Sequence, residues 1–203
     1  MKLYYAPGAC SLSPHIALRE AGLPFALEKV DTKTRTTETG ADFTTVNPRG
    51  YVPALELDNG EVLTEGAAIV QYIADLKPEA EIAPKAGTLA RARLQEELNF
   101  VSSELHKGFS PLFNAAESEA SRDAAKQKLA RRFDNVEAKL ADGRSYLLGE
   151  RFSVADGYLF TVANWGGHVG FPLDRWPKVQ ALMARVAERA TVQAAMKAEG
   201  LVK

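Results

Sequence analysis

Short apolar runs broken by turn residues open the chain, and helix-period stripes occupy the rest of it. Leu3, Tyr4 and Tyr5 predict a strand, which Pro7 and Gly8 end. Ser11 or Ser13 suits the N-cap of a following helix whose first turn tolerates Pro14, and Gly22 and Pro24 stop it. Phe25 to Val30 predicts a second strand, with Phe25 and Leu27 alternating against smaller or polar neighbours. Strand, helix, strand in that order implies a parallel pair joined by a right-handed crossover. Asp31 to Thr45 is polar and rich in threonine, which predicts a loop with room for one helical turn.

Ala54 to Leu57 and Glu61 to Leu63 flank Asp58, Asn59 and Gly60, and the Asn-Gly pair signals a hairpin. Thr64 or Glu65 then caps a helix with Ile69, Val70, Ile73 and Leu76 at helical spacing. The two prolines of the stretch from Lys77 to Gly87 mark a boundary, beyond which strand signals largely vanish. Leu94, Leu98, Val101 and Leu105 form one apolar stripe over Thr88 to Lys107, and Leu129, Phe133, Val136 and Leu140 form another that Asp142-Gly143 ends. Ser153 and Asp156 read as a capping box for a buried helix carrying Tyr158, Leu159 and Val162, so both are assigned structural roles. Asn164 to Asp174 is a glycine-rich loop, followed by helices over Trp176 to Arg189 and Thr191 to Ala198. The pattern predicts an α/β domain over 1–80, a linker over 81–87 and an all-helical domain over 88–203.

Composition narrows the functions. A formal net charge of −1 provides no general attraction for nucleic acid or anionic membranes. One cysteine excludes an internal disulfide and any cysteine-rich zinc site, so no metal is expected. The opening MKLYYAPG has neither the apolar core of a signal peptide nor a membrane span, and a reducing cytoplasm is the expected setting.

The candidate chemistry centres on Cys10, where the first strand gives way to a helix. Unpaired N–H groups at the positive end of a helix dipole favour a thiolate over a thiol. An ordinary cysteine is only about 3% thiolate at neutral pH, so a fall of one or more pKa units makes the thiolate a major species. The plainer alternative is a small buried apolar residue, but proline, glycine and serine around Cys10 indicate a loop and a cap. Glu65, Gly66 and the N–H groups behind them offer a carboxylate to an ammonium and donors to a carboxylate, which suits an amino-acid head group, although a plain N-cap has the same residues. Val52, before Pro53, can offer its backbone to a peptide-like ligand; an ordinary proline turn is the alternative. Asn99, Ser103 and His106 form a polar stripe that is either a solvated face or the lining of a cleft. Arg35 reads as a surface charge, and His15 and His168 as structural or surface residues.

These residues together resemble a known family. YYAPGACSLSPHIALRE, NPRGYVPAL, LTEGAAIVQYIAD, ELHKGFSPLF and FSVADGYLF are similar to segments of the bacterial beta-class glutathione transferases, and the likeness spans essentially the whole chain. The resemblance implies a thioredoxin-like βαβ-ββα domain followed by a helical bundle. It implies that Cys10 contacts the glutathione sulfur or forms a mixed disulfide with it, beside Ser11. It implies that Glu65 and Gly66 hold the γ-glutamyl end, that Val52 before a cis Pro53 pairs with the cysteinyl unit, and that Arg35, where a lysine is common, meets the glycyl carboxylate. Asn99, Ser103 and His106 match residues of the ligand cleft, with His106 a second family mark, and Tyr5 matches a tyrosine near the site. The implied activity is conjugation of glutathione, as co-substrate, to a small hydrophobic electrophile by a homodimer. A glutathione-dependent thiol transferase or reductive dehalogenase-type activity is the enzymatic alternative, and a non-catalytic binding module is the alternative from another class.

Overall fold

The computed structural model describes residues 1–202. It contains two compact units, one of Met1–Lys85 with Glu188–Lys203 and one of Ala86–Ala187. The end of the chain, expected within 88–203, therefore groups with the first unit.

The first unit is built on a five-stranded sheet. Strand β1 (Lys2–Tyr5) lies at its centre, parallel to β2 (Ala26–Asp31) and antiparallel to β4 (Ala54–Glu56), and β4 pairs with β5 (Val62–Thr64). A two-residue strand β3 (Thr36–Thr37) completes the order β3-β2-β1-β4-β5. This strand lies in the stretch expected to be loop; two residues are too short for an alternation to show in sequence. The expected helical turn is present over Phe43–Thr45, where the Asp42 carboxylate accepts the Thr44 N–H. Leu3, Tyr4 and Tyr5 are all buried, as suits a central strand covered on both faces. Tyr4, Val30, Phe43, Val52 and Ala54 form one core cluster.

Helix α1 (Leu12–Glu20) connects β1 to β2 and ends where Gly22, at φ 63°, donates to Arg19 C=O while Leu23 donates to Leu18 C=O. That pair of bonds is a Schellman motif, whose left-handed position glycine occupies without strain. Helix α2 (Gly66–Leu76) packs on α1 and buries Ile69, Val70 and Ile73, while Leu76 is partly exposed. Helix α8 (Ala190–Ala198) packs on α1 as well. Glu20 accepts both Arg189 Nε at 2.6 Å and Arg189 Nη2 at 2.7 Å, and also the Thr191 hydroxyl.

The second unit is helical. Thr88 caps α3 (Leu89–Phe100) by accepting the Arg91 N–H, and the stripe Leu94, Leu98, Val101, Leu105 is buried. The helix does not stay α: Val101–His106 forms a π-helical turn before α4 (Lys107–Phe113). Helix α5 (Glu119–Lys139) packs against α4 and α7 (Pro177–Ala187) and buries Leu129, Phe133 and Val136, and Gly143 at φ 89° closes the turn that follows. Phe133 stands 5.3 Å from Trp176 and 5.7 Å from Phe171, ring to ring. Helix α6 (Val154–Ala163) is buried along its whole length, and its capping box forms as expected from Ser153 and Asp156.

Asn164–His168, expected as loop, winds into a 3₁₀ turn. Gly166 sits where a Cβ would lie 2.3 Å from the Phe171 carbonyl oxygen, a backbone atom with no freedom to give way, and its own carbonyl accepts the Phe171 N–H at 2.9 Å. Gly166→Ala is therefore expected to cost about 2–3 kcal/mol, the scale of an overpacked core. A lower denaturation midpoint at unchanged slope would register it; an unchanged midpoint would show that the turn relaxes freely.

Candidate active site

The sequence feature that singles out Cys10 is the turn between β1 and α1, and the structure shows how that turn is held. Ser11 occupies the N-cap position of α1, but its hydroxyl does not cap the helix: it donates to Ala6 C=O at 3.2 Å and accepts Ala6 N–H at 3.1 Å. The side chain thus closes the loop Ala6–Ser11 on itself. Ala9 N–H donates to Ala6 C=O within it, and Ser13, buried, donates its own N–H to Cys10 C=O.

Cys10 is half-buried, and its Sγ–H donates to the Val52 carbonyl oxygen at 3.3 Å. A carbonyl accepts only from the protonated form, so this contact belongs to the thiol. The sequence led to two other partners: helix N–H groups for the sulfur and a peptide ligand for the Val52 carbonyl. Here sulfur and carbonyl meet each other. The Val52-Pro53 peptide bond is cis, as the resemblance implies. Asn47 Nδ2 donates to Tyr51 C=O at 2.7 Å, and Asn47 Oδ1 accepts Arg49 N–H, which braces the segment leading to Val52.

Glu65 stands at the N-cap of α2 with φ 69°, its carbonyl accepting the Ala68 and Ile69 N–H groups. A non-glycine residue at positive φ is uncommon and often marks a functional position. Its carboxylate does not cap the helix. It accepts Arg49 Nη1 at 2.8 Å, with both side chains well exposed. Arg35 is a second residue at positive φ, 57°, and its guanidinium stem lies across Gly50, where a Cβ would come within 3.0 Å of Arg35 Nε. Tyr5 is buried, and burial with the Glu38 and Glu199 carboxylates holds its phenol above the ordinary tyrosine range, so it stays a donor. Among the described residues no group of His, Cys, Asp and Glu could hold a metal ion.

In the helical unit, Asn99 and Ser103 are exposed and His106 is half-buried. Ser103 Oγ donates to Asn99 C=O at 2.9 Å, so its hydroxyl is turned back onto the helix. His106 Nδ1 lies 2.9 Å from Tyr158 Oη, and the imidazole meets Trp165 edge to face at 4.9 Å. The spacing 99, 103, 106 predicts one α-helical face, but the π-helical turn intervenes between Asn99 and His106.

The chain matches the family model of the glutathione S-transferase N-terminal domain over residues 8–76 and that of the C-terminal domain over 100–190. It is 44% identical to the glutathione S-transferase GstA of Escherichia coli O157:H7, over 99% of this chain and 100% of that one. The chain belongs to the glutathione S-transferase family. Among solved structures, the sphingomonad glutathione S-transferase complexed with glutathione is 48% identical over the whole of both chains, with a TM-score of 0.95. The beta-class glutathione S-transferase of Sphingomonas chungbukensis is 51% identical, again over the whole of both chains, with a TM-score of 0.96. The fold is thioredoxin-like with a helical second part, and the protein is a transferase.

Several parts of this transferase's candidate site were not visible in its sequence. Arg49 gave no sign of pairing with Glu65, because a surface arginine 16 residues away is indistinguishable from any other. In the sequence Tyr158 reads only as core and Trp165 only as part of a glycine-rich loop, though both meet His106. Neither His15 nor Glu199 showed a partner, since the two lie 184 residues apart.

Proposed function

We propose that this transferase binds glutathione on its first unit with the ligand sulfur against Cys10. The observation that carries this reading is the Cys10 thiol held at the Val52 carbonyl, 3.3 Å away and beside a cis proline bond. The sphingomonad relative solved with glutathione supports it. Val52 offers backbone to the cysteinyl unit next to Pro53. Glu65 and Gly66, at the head of α2, take the γ-glutamyl ammonium and carboxylate; Arg35 takes the glycyl carboxylate; Ser11 and Tyr5 hold the surroundings of the sulfur. In the helical unit, Asn99, Ser103 and His106 are the proposed ligand-facing residues, with His106 the group able to exchange a proton.

In the conjugation reaction the glutathione thiol loses its proton and the sulfur attacks an electrophilic carbon of a small hydrophobic compound. The C–S bond forms as the leaving group departs with its electron pair. Two thiolates in contact repel, so Cys10 remains a thiol and donates while glutathione ionises. A second reading follows from the same contact: Cys10, as thiolate, attacks the glutathionyl sulfur of a mixed disulfide between glutathione and another thiol, takes up the glutathionyl unit and releases the other thiol as its thiolate. A second glutathione then resolves the disulfide on Cys10, since the chain has one cysteine. We place this activity in a cytoplasmic, homodimeric enzyme of detoxification. Among the described residues no helix is long and apolar enough to cross a membrane.

Intact mass of the protein incubated with oxidised glutathione, before and after reductant, tests the site. A reversible gain of one glutathionyl unit, absent in Cys10→Ala, is the expected result. No gain would sink the thiol-transfer reading, and failure to be retained on immobilised glutathione would turn the assignment towards a binding module.

A further inference from the structure

The far end of the chain is tied to the loop that carries Cys10. Glu199, the C-cap residue of α8, is buried with both carboxylate oxygens engaged. Its Oε2 accepts the Gly8 N–H at 2.9 Å, and its Oε1 lies 2.8 Å from His15 Nδ1. Arg19 Nε donates to His15 Nε2 at 2.9 Å, which makes that nitrogen an acceptor and leaves the proton on Nδ1, directed at Glu199. The helix stops there because Gly200, at φ 73°, donates to Lys197 C=O while Leu201 donates to Met196 C=O, a second Schellman motif. The reversal lays Leu201 over the same loop, where a Cβ on Gly8 would stand 3.3 Å from Leu201 Cδ2.

We propose that Glu199 is a positioning residue for Cys10. From α8 it fixes the rim Pro7–Gly8–Ala9, and so sets where the Cys10 sulfur stands relative to the Val52 carbonyl. Ser11 closes the loop from within, and Glu199 anchors it from outside. A carboxylate is required because two N–H donors converge on it. Glutamine offers one carbonyl and one NH₂, so either Gly8 or His15 would face a donor, or His15 would have to move its proton to Nε2 against Arg19. The inference rests on the reading of Cys10 as the functional thiol.

The test compares the two ends of α8. Glu199→Gln alters the end at the loop, and Arg189→Met alters the clamp on Glu20, at the opposite end of α1 from Cys10. Because Cys10 is the only cysteine, alkylation by iodoacetamide reports on it alone. At a temperature where both variants are folded, Glu199→Gln is expected to change the alkylation rate about tenfold and to raise KM for glutathione, because small displacements of a reacting group are costly. Arg189→Met is expected to lower the melting temperature while leaving the alkylation rate within about twofold. Equal rates for wild type and Glu199→Gln, or an equal change in Arg189→Met, would reduce Glu199 to a structural tie and overturn the proposal. If Glu199→Gln does not fold, Glu199→Asp, which keeps the charge but withdraws it by one methylene, is judged by the same criteria. A wild type that fails to bind glutathione would remove the proposed function but leave the alkylation comparison intact. Native alkylation in a variant that still binds glutathione would remove this inference alone.

Discussion

Asp156→Ala is expected to lower the free energy of unfolding by about 3–5 kcal/mol, the scale for stripping buried donors of a shared charged acceptor. The Asp156 carboxylate is fully buried and accepts three hydrogen bonds, from Leu147 N–H at 2.8 Å, Ser153 N–H at 2.8 Å and Ser153 Oγ at 2.7 Å. Alanine removes the cap of α6 and also the tie to Leu147, so the segment before the helix loosens with it. For a chain of this size the loss corresponds to a melting temperature lower by about 10 °C. Thermal and chemical denaturation would measure it, and a fall of less than about 1 kcal/mol, the value of a simple cap, would show that the Leu147 bond is dispensable. The pH dependence is a separate check. Burial pushes the Asp156 carboxyl up to about 6, against hydrogen bonds that pull it down. A carboxyl whose folded value exceeds its unfolded one binds its proton more tightly in the native state. Wild type should therefore lose stability relative to Asp156→Asn as pH rises from the ordinary 3.8 to about 6, and no further above it. The opposite slope would mean that the three donors outweigh burial.

Glu65→Gln is expected to raise KM for glutathione about ten- to a hundredfold, the value of a charge-assisted hydrogen bond to an ammonium, with a smaller change in kcat. Arg49, which occupies the Glu65 carboxylate in this structure, competes weakly for it. The pair is well exposed on both sides, and such pairs contribute about 0–1 kcal/mol. Arg49→Met should accordingly change KM by less than about fivefold. Steady-state kinetics with glutathione varied would separate the two residues. An effect of Arg49→Met as large as that of Glu65→Gln would mean that the arginine itself meets the ligand.

The parts of the fold that could be read from the chain are those where local chemistry and tertiary packing agree. Asn59-Gly60 makes its hairpin, Gly22 its helix stop and Ser153 with Asp156 its capping box, because each is decided by residues within a few positions. The polar contacts were less legible. Ser11 and Ser13 both suit the helix cap in sequence; Ser11 holds the position, yet its hydroxyl serves the loop behind it. Glu65 also holds the cap position while its side chain turns to Arg49. A side chain chooses among acceptors by geometry that only the assembled chain defines, and the meeting of Cys10 with the Val52 carbonyl, 42 residues on, is the same case. Helix α8 shows the limit at larger scale. The sequence predicts a helix over Thr191 to Ala198, but only its contacts assign it to the unit of the sheet.

The π-helical turn at Val101–His106 has a meaning for the length of the chain itself. Such a turn holds one more residue than α-helix needs for the same advance, so it behaves as a one-residue insertion accepted inside a helix. Removing a residue there would let the segment close as regular α-helix, and nothing in its composition would oppose it. Everything beyond would keep its face; it is the same residues wound as regular α-helix with none removed that would rotate the rest by about 100°, the step of one residue, and carry His106 away from Tyr158 and Trp165. The register of the imidazole is thus encoded by a count of residues as much as by their identity, and a relative one residue shorter keeps the same face only where its gap falls within this stretch.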